Sequence, residues 1–305
     1  MCSSDLPFGH ITTPPAAELA AKLAALAPAN INHIFYGTGG SMSNDTAVRV
    51  IHYYFNRLGK TSKKKIISRV DAYHGSTYLA MTLTGVDFDH QGFDLAPNIV
   101  ERVSAPYVYR RPDGMTIEEY CDQLVQELED KINEIGPDNV AAFIAEPVMG
   151  AGGVIVPPEG YFDEIQPVLK KHDVLFIVDA VTCGFGRLGT MFASEYYNRA
   201  PDLMTIAKGL TRAYVPMSEA VISEKIWSVL KEGSPETGPF AHGYTYGGHP
   251  IAAAAGLKTI EIMERENLVA HAAEVGAYLQ RRLRESFADH PPVGQVRGVG
   301  MVAAF

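Results

Sequence analysis

Val174-Leu175-Phe176-Ile177-Val178 is an unbroken apolar run closed by the carboxylate of Asp179. So short and continuous a run reads as a strand covered by helices on both faces. Working outward, His33-Ile34-Phe35-Tyr36, Lys65-Ile66-Ile67-Ser68 and Ala141-Ala142-Phe143-Ile144 precede it, and Leu203-Met204-Thr205-Ile206 follows, with longer helical patterns between. That alternation indicates an α/β fold with a largely parallel sheet, and a ligand site at the carboxyl ends of its strands. Before the first strand, Leu19, Leu23 and Leu26 recur at helical spacing between Pro14-Pro15 and Pro28. From Pro250 the pattern is helical again, with Ala272, Val275, Leu279 and Leu283 on one face, until His290-Pro291-Pro292 ends it. The last run, Met301-Val302-Ala303-Ala304-Phe305, is strand-like with no partner after it, so the chain is expected to be a fragment whose second domain has barely begun.

The 305 residues, 47% hydrophobic and 20% charged, suffice for a substantial core. A net charge of -9 offers nothing to neutralise phosphodiesters, so no nucleic-acid partner is expected, and Lys63-Lys64-Lys65 reads as a solvated face. No apolar stretch is long enough to cross a bilayer, and Met1 to Leu6 lacks the regions of a signal peptide, which points to the cytosol and no membrane partner. Cys2, Cys121 and Cys183 are far apart and without metal-ligand spacing. Reduced thiols, no metal and a buried filler at Cys183 are expected.

The elements that carry chemistry are scattered along the chain. Gly37-Thr38-Gly39-Gly40-Ser41 lies between the strand ending at Tyr36 and a helix continuing through Ala47, Val48 and Val50. Strand, glycine turn and helix start form an anion site, in which backbone N–H groups and the Ser41 hydroxyl hold a phosphate with the help of the helix dipole. A tight connection without ligand is the alternative; a Walker A loop is excluded because no Lys follows the last glycine. Asp179 places a carboxylate at the end of a dry strand, where it needs a cationic or donor partner. A pyridinium nitrogen is one such partner, and capping of the next turn is the structural alternative. Lys208 follows Leu203-Met204-Thr205-Ile206-Ala207, again at a strand end. Withdrawn from water there, its amine is a nucleophile towards an aldehyde or a base for a neighbouring C–H; a lysine snorkelling from a strand edge is the alternative. Gly184-Phe185-Gly186-Arg187-Leu188-Gly189 matches the dinucleotide fingerprint in letters, but Thr190-Met191-Phe192-Ala193-Ser194 is a poor helix opening and Asp202 precedes the next strand instead of ending it.

Together these residues resemble the class III aminotransferases, the ω-amino acid and amine:pyruvate transaminase group of fold-type I enzymes that use pyridoxal 5'-phosphate (PLP), over nearly the whole chain. Gly40-Ser41 with Asn44-Asp45-Thr46-Ala47 is similar to the family's phosphate loop and following helix, and Ala72-Tyr73-His74-Gly75-Ser76-Thr77 to its aromatic stacking motif. Ile144-Ala145-Glu146-Pro147-Val148 with Gly150-Ala151-Gly152-Gly153 is similar to the segment whose glutamate lies beside the cofactor. Asp179, Val181 and Gly184-Phe185-Gly186-Arg187 resemble the pyridine-nitrogen motif, Ala207-Lys208-Gly209-Leu210 the Schiff-base motif, and His242-Gly243-Tyr244-Thr245-Tyr246 a loop that closes a phosphate site.

The resemblance implies a mostly parallel, seven-stranded large domain and the following roles. Lys208 carries PLP as a Schiff base and shuttles the proton; Asp179 pairs with the pyridinium; Tyr73, with His74 beside it, stacks on one ring face and Val181 presses on the other. Gly40 and Ser41 hold the phosphate, and Glu146 hydrogen-bonds near the ring hydroxyl or Asp179. Thr245 reaches the phosphate of a neighbouring subunit, which implies a homodimer. Family members are longer, so the resemblance implies truncation at both ends: residues 1–250 as the large PLP-binding domain without its N-terminal segment, 251–305 as connecting helices and the start of an incomplete small domain. Ala180 stands where the family usually has Glu, Leu188 where it has Thr, Met42-Ser43 where it has Glu-Ala, and Arg212 and Glu219 where small or neutral residues are common. The expected activity is amino transfer from a primary amine or ω-amino acid donor to an α-keto acid such as pyruvate. A PLP aminomutase or decarboxylating transaminase, and a noncatalytic PLP-binding scaffold, are the alternatives.

Overall fold

A computed structural model describes residues 12–28, 30–193, 201–232 and 240–305. Cys2 and Ser194 lie outside them. Strands β1 (Ile31–Gly37), β2 (Lys65–Arg69), β3 (Val100–Val103), β4 (Val140–Ala145), β5 (Leu175–Asp179), β6 (Leu203–Ile206) and β7 (Ser218–Ser223) form one seven-stranded sheet in the order β1-β7-β6-β5-β4-β2-β3. Pairing is parallel from β6 through β5, β4 and β2 to β3, while β7 runs antiparallel to β6 and β1. Every residue of β4, β5, β6 and β7 is buried, because helices cover both faces. The helix Gly40–Arg57 buries Val48, Ile51 and Phe55 against one face. On the other, Leu19 and Leu23 of the helix Pro14–Leu26, Leu124 and Leu128 of Ile117–Ile135, Ile165 of Tyr161–Lys171 and Ile260 of Pro250–Arg265 share one core. Each such aliphatic side chain stabilises the fold by about 1.5–3 kcal/mol relative to exposure.

Lys63 departs from the solvated face expected of it. It is 2% exposed, lies over the Phe55 ring, and donates to the carbonyls of Pro137 (3.0 Å), Val140 (2.9 Å) and Asp173 (2.8 Å). Those carbonyls lie where the chain leaves a helix or enters β4 and need donors; charge-assisted hydrogen bonds of about 1.5–3 kcal/mol each offset the lost hydration. Burial holds the Lys63 ammonium below the ordinary lysine range.

The closing strand also differs. Val302–Ala304 (β9) pairs antiparallel with Arg297–Val299 (β8), so its partner precedes it, and Gly300 takes the left-handed turn with φ +56°. The helix Leu268–Phe287 leans on this hairpin: Gln280 donates to the carbonyls of Gly300 (3.0 Å) and Val302 (2.9 Å). Ala272, Val275, Leu279 and Leu283 are only half-buried there.

β7 gives no apolar run because it opens with Ser218 and Glu219. Glu219 pairs with Ile206 on one side and Tyr36 on the other, is fully buried, and neither carboxylate oxygen has a hydrogen-bond partner among the described residues. The titratable group facing it is Tyr36, held well above the ordinary phenol range by burial and by Glu219, with its hydroxyl donating to the Ala16 carbonyl. Burial holds the Glu219 carboxyl well above the usual carboxylate range. A folded-state pKa raised above the unfolded one contributes stability that is fully present below the unfolded value and is lost as pH rises towards the folded one. Glu219→Gln, which cannot ionise, should therefore match the parent chain near pH 4 and exceed it increasingly at higher pH, the gap widening by up to about 1.4 kcal/mol per pH unit. Thermal melts between pH 5 and 9 test this; parallel curves for the two proteins would refute it.

Candidate active site

The carboxyl ends of β5 and β6 lie side by side, with Asp179 paired in register with Thr205. Asp179, 3% exposed, ends β5, and its carboxylate is surrounded by donors. Asn44 Nδ2 donates to Oδ2 at 2.8 Å, and the Val181 N–H to Oδ1 at 3.1 Å. His74 Nδ1 lies 2.8 Å from Oδ2 and, carrying its proton, donates to it. Asn44 is itself held at both ends: Nδ2 also donates to the His74 carbonyl (2.7 Å), and Oδ1 accepts from Thr205 Oγ1 (2.8 Å). The helix Gly40–Arg57, the Tyr73-His74 turn and the strands β5 and β6 are thus tied together at one carboxylate.

Lys208 lies beyond the end of β6, where a short 3-10 turn, Lys208–Leu210, begins. Its φ of +35° is in the left-handed region that a lysine rarely adopts. The expectation of a buried amine fails, because the turn lifts the side chain out of the sheet and Lys208 is exposed, its Nζ donating to Thr182 Oγ1 at 2.7 Å. The loop past it is strained as well, with Arg212 at φ +52° and Ala213 at +66°.

Gly40, Ser41, Tyr73, His74, Asp179, Val181 and Lys208 line a single cleft of about 280 Å³, together with Asn44 and Thr182. Its floor includes the start of the helix Gly40–Arg57, where the first backbone bond is Ser43 N–H to the Gly39 carbonyl. The preceding N–H groups of the first turn are left for an anion. Gly40 lets Val181 approach: a Cβ there would stand 2.8 Å from Val181 Cγ1. Gly75, at φ +127°, is equally constrained, since a Cβ would meet Ser41 Oγ at 2.3 Å. The Ser41 hydroxyl accepts from the Ser76 N–H at 3.1 Å.

Two of the expected residues lie outside the cleft lining. Glu146, 2% exposed, sits behind it and hydrogen-bonds neither Asp179 nor the open space; its carboxylate accepts the N–H groups of Tyr73 and Gly150, each at 3.0 Å. Burial, and the nearby Asp179 carboxylate, hold the Glu146 carboxyl above its ordinary range, while His74 opposes this. Thr245 is exposed, away from the cleft of its own chain. Its loop is clipped to the helix Gly40–Arg57: Tyr244 Oη donates to the Met42 carbonyl (3.1 Å), and Thr46 Oγ1 lies 3.1 Å from His242 Nε2. Burial, with Arg49 adding to it, pushes the His242 imidazole down to about 4.

Cys183 is buried, donates to the Val148 carbonyl (3.3 Å), and has its thiol pushed up to about 12 by burial. It is a filler, as expected. Gly186 and Gly189 of the fingerprint-like segment pack on the helix Leu268–Phe287, where a Cβ at Gly189 would meet that of Ala273 at 3.0 Å. Of the departures, Ala180 and Leu188 are buried, and Arg212 is exposed beside Phe185, donating weakly to its carbonyl at 3.4 Å. Sequence reasoning quoted Asn44 within a motif but gave it no role, and it missed Thr182. Asn44 recurs one helical turn after Ser41, a spacing that puts it on the same face, whereas nothing local marks Thr182.

The class-III aminotransferase family model matches residues 3–305. The chain is 50% identical to a diaminobutyrate–2-oxoglutarate transaminase of Halomonas elongata over 97% of its own length and 64% of that protein's. It is 46% identical to a putrescine–pyruvate aminotransferase of Pseudomonas aeruginosa over 98% of this chain and 66% of the other. Among solved structures, an ω-transaminase of Pseudomonas jessenii in complex with PMP superposes with a TM-score of 0.95 at 44% identity, covering 97% of this chain and 66% of that one. The chain thus spans slightly under two thirds of the length of these relatives.

Asn44→Ala would leave Asp179 short of a donor and the His74 carbonyl and Thr205 hydroxyl without a partner. It should lower the unfolding free energy by about 2 kcal/mol or more, read as a fall in the urea midpoint; an unchanged midpoint would refute the ascribed role.

Proposed function

The chain belongs to the class III aminotransferases, and on that premise we propose that it binds pyridoxal 5'-phosphate and transfers an amino group from a primary amine or ω-amino acid to an α-keto acid such as pyruvate. The observation that carries the reading is the meeting of Lys208 and Asp179 at the ends of adjacent parallel strands, in one cleft floored by a glycine-cornered helix N-terminus. The residues fit the cofactor. A buried carboxylate facing the cleft suits a protonated ring nitrogen, the free N–H groups of the helix start suit a phosphate, and an exposed amine suits an aldehyde. When bound, the cofactor supplies that aldehyde and a ring that takes up electrons as a bond to the substrate's amine-bearing carbon breaks.

The rest falls to the chain. Asp179, kept in place by Asn44, His74 and the Val181 N–H, would pair with the ring nitrogen. Tyr73 and Val181 would flank the ring and Gly40 and Ser41 would hold the phosphate, while Glu146 accepts the Tyr73 N–H. Lys208 would hold the cofactor through its amine, and that amine would be the base and acid that moves a proton. Amine and keto acid react in turn, in a two-half-reaction scheme. Thr245, exposed and displayed by a loop pinned through Tyr244 and His242, serves the phosphate site of a second copy in a homodimer. The division into a large domain, 1–250, and the start of a small one, 251–305, belongs to the same reading, as does a cytosolic location; among the described residues no helix is long and apolar enough to cross a membrane. The named relatives are transaminases, which gives no support to the mutase or scaffold alternatives.

Mixed with pyridoxal phosphate, the purified chain should develop a visible absorption band, and borohydride should fix the cofactor to Lys208. Lys208→Ala, a change at an exposed position, should fold equally well and trap none. Addition of an amine donor should bleach the band, and pyruvate should then yield alanine. Absence of the band in a folded protein would overturn the reading; release of carbon dioxide would redirect it to a decarboxylating transaminase.

A further inference from the structure

We infer that Thr182 is a positioning residue for the Lys208 amine, a step that rests on the cofactor reading above. Lys208 is exposed, so packing does not select among the rotamers of its flexible side chain. What locates the amine is the 2.7 Å hydrogen bond that Nζ donates to Thr182 Oγ1, inside the cleft that both residues line. A hydroxyl in this place fixes the amine's position without the salt bridge a carboxylate would impose, and its own proton remains free to donate elsewhere.

Thr182 is itself well placed to aim another group. It follows Val181, whose N–H is bound to Asp179 Oδ1 at 3.1 Å. On its other side, a Cβ built on Gly150 would lie 3.3 Å from Thr182 Cγ2, and the Gly150 N–H is bound to Glu146 Oε2 at 3.0 Å. The β-branched side chain is thus set between two segments that are each anchored on a buried carboxylate, and branching at Cβ restricts χ1 further. Glu146, which does not reach the cleft itself, acquires an indirect part in locating the amine. The covalent step joins Nζ to the aldehyde carbon with loss of one water, and its rate depends on the approach of the two atoms. After release, the same hydroxyl gives the amine a fixed resting place from which to carry a proton.

The test compares Thr182→Val and Thr182→Ser with the parent chain in three measurements. Affinity for pyridoxamine phosphate, which has no aldehyde, reports the phosphate and ring contacts alone and is the reference to which capture is normalised in each of the three. The rate at which borohydride-trapped pyridoxal phosphate accumulates on Lys208 should fall about tenfold in Thr182→Val and recover in Thr182→Ser. In the cofactor-free chain, limiting acetic anhydride followed by peptide mass spectrometry reads Lys208 against the other lysines. Its relative labelling should rise about threefold or more in Thr182→Val, because the amine is no longer tethered, and return in Thr182→Ser. Faster labelling with slower capture separates loss of aim from general disruption, which would move both the same way. Equal capture rates, or a labelling ratio that does not change, would overturn the inference. The labelling decides it even if the parent chain captures no cofactor, an outcome that would instead overturn the proposed function.

Discussion

The Asp179 carboxylate is the constraint on which the site and much of its surroundings depend. A carboxylate with almost no access to water is costly unless donors replace the lost hydration, and here they arrive from separate stretches of chain: Asn44 from a helix, His74 from a turn, and the Val181 N–H from the loop that follows. Each donor is in turn held by something else. Asn44 accepts from Thr205 on the neighbouring strand and donates to the His74 carbonyl. The tyrosine beside His74 has its N–H bound to Glu146. Hydrogen-bonded members that hold one another rigidify their surroundings, although the buried His74 Nε2 has no hydrogen-bond partner among the described residues. That is why the helix start, the aromatic turn and two strand ends keep a fixed mutual arrangement.

The second carboxylate of the site shows a different solution. Glu146 is satisfied by two backbone N–H groups and has its carboxyl raised by burial. Its observed partners are the backbone of Tyr73, which lines the cleft, and the turn at Gly150. Sequence similarity finds the glutamate; only the path of the chain through space shows which of its neighbours it touches.

The same distinction separates what was legible in the sequence from what was not. β4, β5 and β6 lie inside the sheet and are apolar on both faces, so their runs are continuous and stand out. β3, at the edge, is interrupted by Glu101 and Arg102, and β7 opens on Ser218 and Glu219, so neither produces that signal. β7 is nevertheless interior, and only its antiparallel insertion between β1 and β6 brings a glutamate into a dry layer. Lys63 is misread for a related reason: a run of lysines suggests solvent until the carbonyls of distant segments converge on one of them. In the site, Asp179 and Lys208 were recognisable because each ends an apolar run. Asn44 and Thr182 matter through partners more than twenty residues away, Asp179 for the first and Lys208 for the second, and no local pattern encodes that.

Local costs collect between Lys208 and Glu219. Three residues there, Lys208, Arg212 and Ala213, adopt left-handed backbone conformations without being glycine, each costing on the order of 1 kcal/mol, and Glu219 adds a buried carboxyl without a hydrogen-bond partner among the described residues. Such a concentration persists only where the surroundings over-determine the conformation. β6 and β7, fully buried on either side of the turn, provide that constraint, and Phe185 packs beneath it so closely that a Cβ at Gly209 would meet its Cβ at 2.7 Å. The strained turn carries Lys208 away from the sheet and into the cleft. An unstrained continuation of β6 would alternate side chains between the two helix-covered faces and leave the amine in the core, so the conformation that weakens this segment is also the one that makes the lysine accessible.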